Sequence, residues 1–384
     1  NLLLVIIYLA FISLGLPDSL VGSAWPIMHE DLQVPLSAVG IVTMIIAGGT
    51  IVSSLFSDRL TRKFGTGWVT AISVLTTALA LFGFSTASAF WMLCLWAIPY
   101  GFGAGAVDAA LNNYVALHYA SRHMNWLHCF WGVGASISPY IMGFSLARYQ
   151  SWNRGYLLVA GLQIALTIVL FFSLPLWNKG KTETGSEAVR GPALSLAQIL
   201  KIKGVPFILV TFFGYCALEM TTGLWASTYL VQFRGIEVET AARFASLFYL
   251  GITFGRFVCG FISDRLGDKQ LIRLGLFLLS LGVLLILLPL PLDLFALSGL
   301  VLTGIGCAPI YPAIIHATPA NFGEENSQAV IGVEMASAYL GTTFMPPLFG
   351  LMAEKISLGL YPVYLLLLAL LMLVMSEKLN RLKG

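Results

Sequence analysis

Gly260-Phe-Ile-Ser-Asp-Arg-Leu-Gly-Asp268 is a short polar segment between two long apolar runs of the chain. A related segment, Ser54-Leu-Phe-Ser-Asp-Arg-Leu-Thr-Arg-Lys63, lies in the first half of the chain, and both segments contain Ser-Asp-Arg-Leu. Recurrence of a motif at long spacing indicates that one structural unit occurs twice. We therefore predict that the chain consists of two related halves.

Further pairs of residues support this repeat because they recur at nearly the same spacing. Gly101-x-Gly103 matches Gly304-x-Gly306, Gly134, Pro139 and Gly143 match Gly341, Pro346 and Gly350, and Asp18 and Gly22 match Glu219 and Gly223. Two parallel repeats with a solute site between them are what alternating access requires, since rocking one repeat against the other exposes the site to each side in turn.

The composition is that of a membrane protein. Of the 384 residues, 58% are hydrophobic and only 10% are charged, whereas about 25% are charged in soluble proteins. The net charge of +3 is small and dispersed, which argues against a nucleic-acid partner. All five cysteines lie in apolar segments, so we interpret them as packing residues and predict neither disulfides nor a metal site.

Apolar segments long enough to cross a bilayer, which takes about 20 residues, predict an all-α protein with twelve transmembrane helices. Their approximate ranges are 2–28, 36–57, 67–87, 89–118, 122–148, 153–176, 205–233, 240–264, 269–289, 292–322, 326–355 and 359–379. The longest polar run divides them into an N-terminal six-helix bundle (1–176), a cytoplasmic linker (177–204) and a C-terminal six-helix bundle (205–384). Residues 193–203 of the linker are expected to form a short amphipathic helix on the membrane surface.

The distribution of lysine and arginine predicts the orientation, because cytoplasmic loops are enriched in both. If both termini are cytoplasmic, fifteen of the 21 lysines and arginines fall on the inside and five on the outside. We therefore expect a multi-pass protein of the cell membrane, or of the inner membrane in a bacterium, with both termini in the cytoplasm.

The two-halved arrangement and the Gly260–Asp268 segment resemble the major facilitator superfamily, which has a signature loop of this kind between the second and third helices of each half. The first copy departs from the pattern, since Ser54 and Thr61 stand where glycines are usual. The resemblance covers the whole chain and implies the major facilitator fold.

A finer resemblance is to the fucose:proton symporter family. Asp108-Ala-Ala-Leu-Asn112 resembles the Glu-x-x-x-Asn of its fourth helix, and Leu16-Pro-Asp18 occupies the place of the acidic residue in its first helix. Asn125-x-x-His128-x-Phe-x-Gly-x-Gly134 is similar to sugar-transporting members. The resemblance implies proton coupling and sugar recognition by Asp18 and Asp108, with Asp in place of Glu at 108.

Ionisable residues inside the predicted helices are the main candidates for function. They are Asp18, Asp108, Glu219, Glu334, Arg256, His128 and His316. A charge at bilayer depth costs roughly 2.5 to 3.5 kcal/mol, and a carboxyl that is neutral when dry and ionised when wet can carry a proton. We expect proton coupling at Asp18, Asp108 and Glu219. The alternative is that each acid bonds a neighbouring helix and never titrates.

Gly101, Gly105, Asp108 and Asn112 lie on one helical face, so small residues there allow close approach to an acid and an amide. Aromatic rings beside such groups suit a polyol, since its CH faces stack on rings while its hydroxyls bond acids and amides. The candidate solute-binding residues are Asp108, Asn112, Asn113, His128, Trp25, Trp131, Trp225, Tyr311 and His316. The alternative for the tryptophans is anchoring at the lipid interface.

Charged residues near the cytoplasmic ends of helices are candidates for gating. Asp58-Arg59 and Asp264-Arg265 can form contacts that break on opening, or can merely retain arginine on the inside. Arg256 and Glu334 lie at a similar depth, roughly 12 Å from those ends at 1.5 Å per residue. Depth alone therefore permits an ion pair between them, either as a gate or as a structural lock.

Taken together, these features predict a secondary transporter that imports a small neutral polar solute such as a monosaccharide, with the proton as coupling ion and no other cofactor. The alternative is proton-driven export of drugs or metabolites, because the same architecture serves both directions. A non-transporting sensor or an enzyme is less expected, since the sequence offers no nucleophile–base pair, metal cluster or signalling domain. We expect a monomer whose partners are the lipid bilayer and the solute.

Overall fold

The computed structural model describes residues 2–35, 38–183, 194–288 and 293–383, and in these ranges the regular elements are helical. The chain forms two compact units. The first contains residues 1–114 and 127–193, and the second contains residues 115–126 and 194–384. Residues 115–126, which connect two helices of the N-terminal half, thus make most of their contacts within the second unit.

The described residues of the N-terminal half form seven helices. They are α1 (Leu2–Asp18), α2 (Leu20–Asp31), α3 (Val39–Phe64), α4 (Thr66–Ser85), α5 (Phe90–His118), α6 (Ser121–Tyr149) and α7 (Trp152–Glu183). α4 packs along α7, and α1 also lies against α7. The core of this unit contains Met28, Phe84 and Tyr156, which are almost fully buried.

Eight helices follow in the part of the C-terminal half that the structure describes. They are α8 (Leu196–Lys201), α9 (Val205–Thr228), α10 (Val238–Leu266), α11 (Asp268–Leu287), α12 (Asp293–Cys307), α13 (Ile310–Phe322), α14 (Glu324–Lys355) and α15 (Tyr361–Lys383). A π-helical turn (Tyr229–Phe233) extends α9, and a 3-10 turn (Leu358–Leu360) precedes α15. α11 packs along α12, and α9 packs along both α14 and α15.

Ten helical stretches in the described part of the chain are long and apolar enough to cross a membrane. They are Leu2–Trp25, Val39–Phe64, Thr66–Ser85, Phe90–His118, Trp152–Trp177, Val205–Phe233, Phe244–Leu266, Asp268–Leu287, Asp293–Phe322 and Leu358–Lys383. The predicted spans 122–148 and 326–355 correspond to α6 and α14, which are 29 and 32 residues long but more polar. The all-helical membrane architecture is confirmed, whereas the number twelve and the location of the termini stay predictions.

Helix boundaries differ from the prediction at the Ser-Asp-Arg-Leu motifs. These motifs do not form loops but lie in the last turns of α3 and α10. Single glycines, Gly65 and Gly267, then reverse the chain with φ of 81° and 75°, a conformation that is strained for residues with a Cβ. The motifs are therefore held in helical geometry next to sharp turns.

The first residues of the predicted linker (177–204) are helical, because α7 continues to Glu183. A short helix does form in its second part, where Ser195 and Gln198 make a reciprocal capping box at the start of α8. Residues 184–193 of the predicted linker lie outside the described residues.

Candidate functional site

Asp18 lies where an otherwise continuous apolar helix is interrupted. It ends α1, Ser19 follows as a turn, and α2 begins at Leu20. The carboxylate is exposed, although it belongs to a stretch apolar enough to cross the membrane. Its Oδ2 accepts a hydrogen bond from Trp131 Nε1 at 2.9 Å, and its Oδ1 accepts one from the Tyr100 hydroxyl at 3.4 Å. Within the described residues both side-chain partners of Asp18 are neutral donors.

The interruption has a local cause in Pro17. Proline lacks the N–H that would bond the carbonyl four residues earlier, so the carbonyl oxygen of Ser13 loses its helical partner. Gln163 of α7 replaces it, because its Nε2 donates to Ser13 O at 2.6 Å. The Thr77 hydroxyl on α4 donates to Gln163 Oε1 at 2.9 Å and orients this amide. A buried polar chain across three helices therefore supports the break that places Asp18.

Another proline, Pro139 on α6, also frees a carbonyl oxygen that a side chain from elsewhere in the unit then bonds. Pro139 leaves the carbonyl oxygen of Ala135 without a helical N–H, and the Ser19 hydroxyl donates to that oxygen at 2.6 Å. A Cβ on Gly15 would collide with the backbone of Trp131 and Ala135, so α1 and α6 approach backbone to backbone here. This close approach holds the Trp131 ring beside Asp18.

Asp108 belongs to a hydrogen-bonded chain with Asn112 and His128. Asn112 Nδ2 donates to Asp108 Oδ1 at 2.8 Å, one turn earlier on α5. His128 Nε2 lies 3.0 Å from Asn112 Oδ1, and because an amide oxygen only accepts, this nitrogen carries the hydrogen. Asn112 and His128 are buried, while Asp108 is half-buried. The carboxyl groups of Asp108 and Asp18 are close enough to interact electrostatically.

Two other predicted solute-binding residues of the first unit are inside its core. Trp25 is 4% exposed and packs against Phe90 and His29, with ring centroids 6.4 and 6.3 Å apart. Asn113 is also buried. Trp25 is therefore a buried core residue of the first unit, and the tryptophan that bonds Asp18 is Trp131.

The second unit contains a buried cluster around Arg256. This side chain on α10 is 4% exposed. Its Nη2 lies 3.8 Å from Glu219 Oε2 and donates to the Tyr215 hydroxyl at 3.4 Å. Its guanidinium lies over the Tyr311 ring, 5.9 Å from the centroid. The structure therefore joins residues that the sequence assigned to three different roles: Glu219, Arg256 and Tyr311.

Glu334 has different surroundings. It is fully buried on α14, and both of its carboxyl oxygens contact the Thr318 hydroxyl of α13, at 2.9 and 3.0 Å. The ion pair between Arg256 and Glu334 that depth permits is absent from the described contacts, because Arg256 pairs with Glu219.

The remaining predicted solute-binding residues of the second unit have protein partners. Trp225 Nε1 donates to the carbonyl oxygen of Pro346 at 3.0 Å. His316 lies between Asp268 and the backbone carbonyl of Tyr119, at helix ends. His316 is therefore not grouped with Arg256 or Tyr311.

The predicted gating residues have specific partners. Asp58 is buried and accepts from Arg62 Nε, at 2.8 Å in the shorter of two contacts, whereas Arg59 lies over the ring of Phe56. Asp264 pairs with Arg122 at 3.3 Å, and Arg265 is exposed. Both acids thus bond arginines other than the one next to them in the motif.

Sequence reasoning missed Tyr100, Gln163 and Ser19. A signal existed for the last two, because a proline inside an apolar helix predicts a free carbonyl oxygen four residues earlier. A polar side chain elsewhere in an apolar segment is then its expected partner. No comparable signal points to Tyr100, whose contact depends on helix packing.

Comparison with known proteins gives a family match over most of the chain. The family model described as Major Facilitator Superfamily matches residues 7–301, and again 244–377. Among solved structures, that of the E. coli fucose:proton symporter FucP superposes with a TM-score of 0.78 at 15% identity, covering 100% of this chain and 99% of that one. At this identity the match shows a shared fold.

Two relatives found by sequence are matched over different shares of their own length. The glucose/mannose transporter GlcP of Bacillus subtilis is 21% identical over 391 residues, covering 98% of this chain and 94% of that protein. Bypass of stop codon protein 6 of Saccharomyces cerevisiae is 22% identical over 283 residues. That match covers 68% of this chain but only 56% of the yeast protein.

Proposed function

Because the chain belongs to the Major Facilitator Superfamily, and is thus a multi-pass membrane transporter and not an enzyme, we propose that it couples the import of a small neutral polar solute to protons. The transport would proceed by alternating access, in which the solute site opens to each side of the membrane in turn. Asp18, Asp108 and Glu219 are the proposed proton-coupling residues.

The observation that carries this proposal is the environment of Asp18. An exposed carboxylate at a helix break is accessible to a proton and to solute hydroxyls, and its described partners are neutral donors. These neutral donors stabilise the charged carboxylate less strongly than a neighbouring cation would. The nearby Asp108 adds a second acid, which interacts electrostatically with Asp18.

The solute is proposed to be a monosaccharide. An indole ring next to Asp18 and the Asp108–Asn112–His128 chain supply the stacking surface and the hydrogen-bonding pairs that a polyol needs. In the second unit, Tyr311 next to Arg256 and Glu219 offers a similar combination. GlcP is a glucose/mannose transporter and FucP is a fucose:proton symporter, and sugar transport by both relatives agrees with this choice.

The proposed topology has twelve spans, with bundles at 1–176 and 205–384 and both termini in the cytoplasm. α6 and α14 complete the twelve, because 29 and 32 residues exceed the roughly 20 that a span needs. Their polar residues, such as His128 and Glu334, are buried within the protein, which is where polar groups are tolerated in membrane helices.

The substitution Asp108→Asn tests the coupling. The amide keeps the shape and the bond to Asn112 but cannot exchange a proton, so we expect loss of proton-driven sugar accumulation with at least part of the energy-independent exchange retained. Uptake and counterflow of labelled glucose, mannose and fucose in membrane vesicles measure the two activities separately.

Glu354→Gln is the matched control, since Glu354 is an exposed acid near the end of α14, and it should accumulate sugar normally. Full active uptake by Asp108→Asn would overturn the coupling role. Extrusion of solute under an inward proton gradient would replace import by the alternative, proton-driven export.

A further inference from the structure

The connection between α5 and α6 is attached to the second unit through His316. His316 Nδ1 lies 2.6 Å from Asp268 Oδ2 at the start of α11. His316 Nε2 lies 3.1 Å from the backbone carbonyl oxygen of Tyr119, which directly follows α5. The imidazole is therefore placed between two oxygen atoms, one from each side of this junction.

Both of these oxygens require a donor. A backbone carbonyl oxygen only accepts, and Asp268 already accepts from the Ser121 hydroxyl through its other oxygen, at 2.6 Å. A neutral imidazole carries one N–H, whereas the imidazolium carries two. Both oxygens therefore receive a hydrogen bond from His316 only when its imidazole has bound one extra proton.

The charges around this junction also favour a second cation. The acids are Asp268 and Asp264, and Asp264 pairs with Arg122 at 3.3 Å and accepts from the Arg122 backbone N–H at 3.2 Å. Without a charge on His316, Asp268 would have no cation among the described ion pairs. An imidazolium balances the two carboxylates with two cations.

Other titratable groups lie on the adjoining turns and complete the electrostatic setting. On α10 and α11 they are Arg265 and Lys269, both exposed, and beside the α5–α6 connection they are His118, Tyr119 and His123. On α14 they are Glu324 and Glu325, both exposed in its first turn, and Glu334, which is bound to Thr318. His123 accepts from Arg122 Nε at 3.4 Å, so its neutral form fits next to that cation.

We propose that His316, Asp268 and the Tyr119 carbonyl form a proton-binding site that fastens the α5–α6 connection to α11 and α13. Loss of the proton removes one of the two hydrogen bonds and the ion pair, so the connection is held firmly at acidic pH and is released as the pH rises. This site is separate from Asp18 and Asp108 and does not depend on which solute is carried.

The protonation state can be observed directly. In the full-length protein with ¹⁵N-labelled histidine, reconstituted in nanodiscs, we expect both ring nitrogens of His316 to give protonated-type NMR signals at pH 6.5. His316→Gln identifies these signals by removing them. An unprotonated nitrogen at His316 at this pH would overturn the proposal.

Hydrogen exchange tests the mechanical consequence. Losing a charge-assisted hydrogen bond should speed amide exchange in residues 115–126 by about tenfold, so His316→Gln should exchange faster than the unmodified protein at pH 6.5. The difference should be smaller at pH 8.5, where the unmodified protein has already lost one of the two hydrogen bonds, after correction for the intrinsic pH dependence of exchange. His29→Gln, whose histidine contacts Val34 in the first unit, is the matched control and should change nothing in 115–126.

Asp268→Asn provides an independent variant if His316→Gln does not fold. It removes the carboxylate that favours the imidazolium. It should likewise speed amide exchange of residues 115–126 at pH 6.5 and abolish the difference in exchange between pH 6.5 and pH 8.5. Unchanged protection of residues 115–126 in both variants, or equal protection of the unmodified protein at both pH values, would contradict the proposal.

Discussion

At the scale of single residues, the buried pair of Arg256 and Glu219 shows how one charge depends on another. The two side chains are only 5% and 16% exposed and lie 3.8 Å apart. Removing one partner of such a pair leaves an uncompensated charge in a poorly solvated place, which costs more than the pair itself contributes. The pair therefore acts as a unit in stability.

This leads to a prediction for a double-mutant cycle. Arg256→Met should destabilise the protein by about 3 kcal/mol, and adding Glu219→Gln should recover a large part of that loss, because the unpaired carboxylate is then gone. Unfolding midpoints in detergent measure each variant.

The exposed pair of Arg273 and Glu377 gives the control cycle. It has a shorter contact, 2.6 Å, but exposures of 48% and 30%, so its coupling should be small because solvent screens it. If the effects of Arg256→Met and Glu219→Gln on stability simply added, the interpretation of Arg256 and Glu219 as one unit would be contradicted.

Residue chemistry was more predictable than residue partners. The acid and amide on one face of α5 follow from helical spacing, and Asn112 does bond Asp108. That Asp18 bonds Trp131, and that Arg256 pairs with Glu219 and not with Glu334, depends on helix packing. The sequence gives the depth of a residue along its helix. A contact also requires that both helices are rotated so that the two side chains face each other.

At the scale of helices, the prolines organise the break at Asp18. Pro17 frees the carbonyl of Ser13, and Gln163 bonds it at 2.6 Å. Pro139 frees the carbonyl of Ala135, and Ser19 bonds it at 2.6 Å. Each of these free carbonyl oxygens thus accepts a hydrogen bond from a side chain of a neighbouring segment, as membrane interiors require.

Gln163→Leu should therefore destabilise the protein by about 2 kcal/mol, since the Ser13 carbonyl is left unsatisfied. In a Pro17→Ala background the cost should fall, because residue 17 regains the N–H that bonds Ser13 within the helix. Thermal unfolding of the four proteins measures this coupling. An equal cost of Gln163→Leu in both backgrounds would show that Gln163 acts in some other way.

Helix ends were less predictable than helix existence. The Ser-Asp-Arg-Leu motifs were expected to follow their helices, but both are helical up to a glycine turn. Charged residues suggest a loop when only polarity is considered. Here Asp58 is stabilised within the helix by Arg62 one turn later.

At the scale of the whole molecule, the repeat and the lengths of the apolar segments were sufficient to predict the fold. Matched motifs at nearly constant spacing and apolar runs of membrane-spanning length led to the architecture that the family match confirms. The sequence analysis predicted α6 and α14 as spans too, although they are more polar than the other ten. Their buried polar residues lower the apolar character that identifies the other ten stretches.

Solute-driven proton movement tests the central claim most directly. In proteoliposomes loaded with a pH-sensitive dye, adding glucose, mannose or fucose outside should acidify the interior when the protein is unmodified, because each solute enters with a proton. Asp18→Asn should abolish this acidification, and Glu354→Gln should preserve it. Sugar uptake without any change of internal pH, or acidification that persists in Asp18→Asn, would contradict the account.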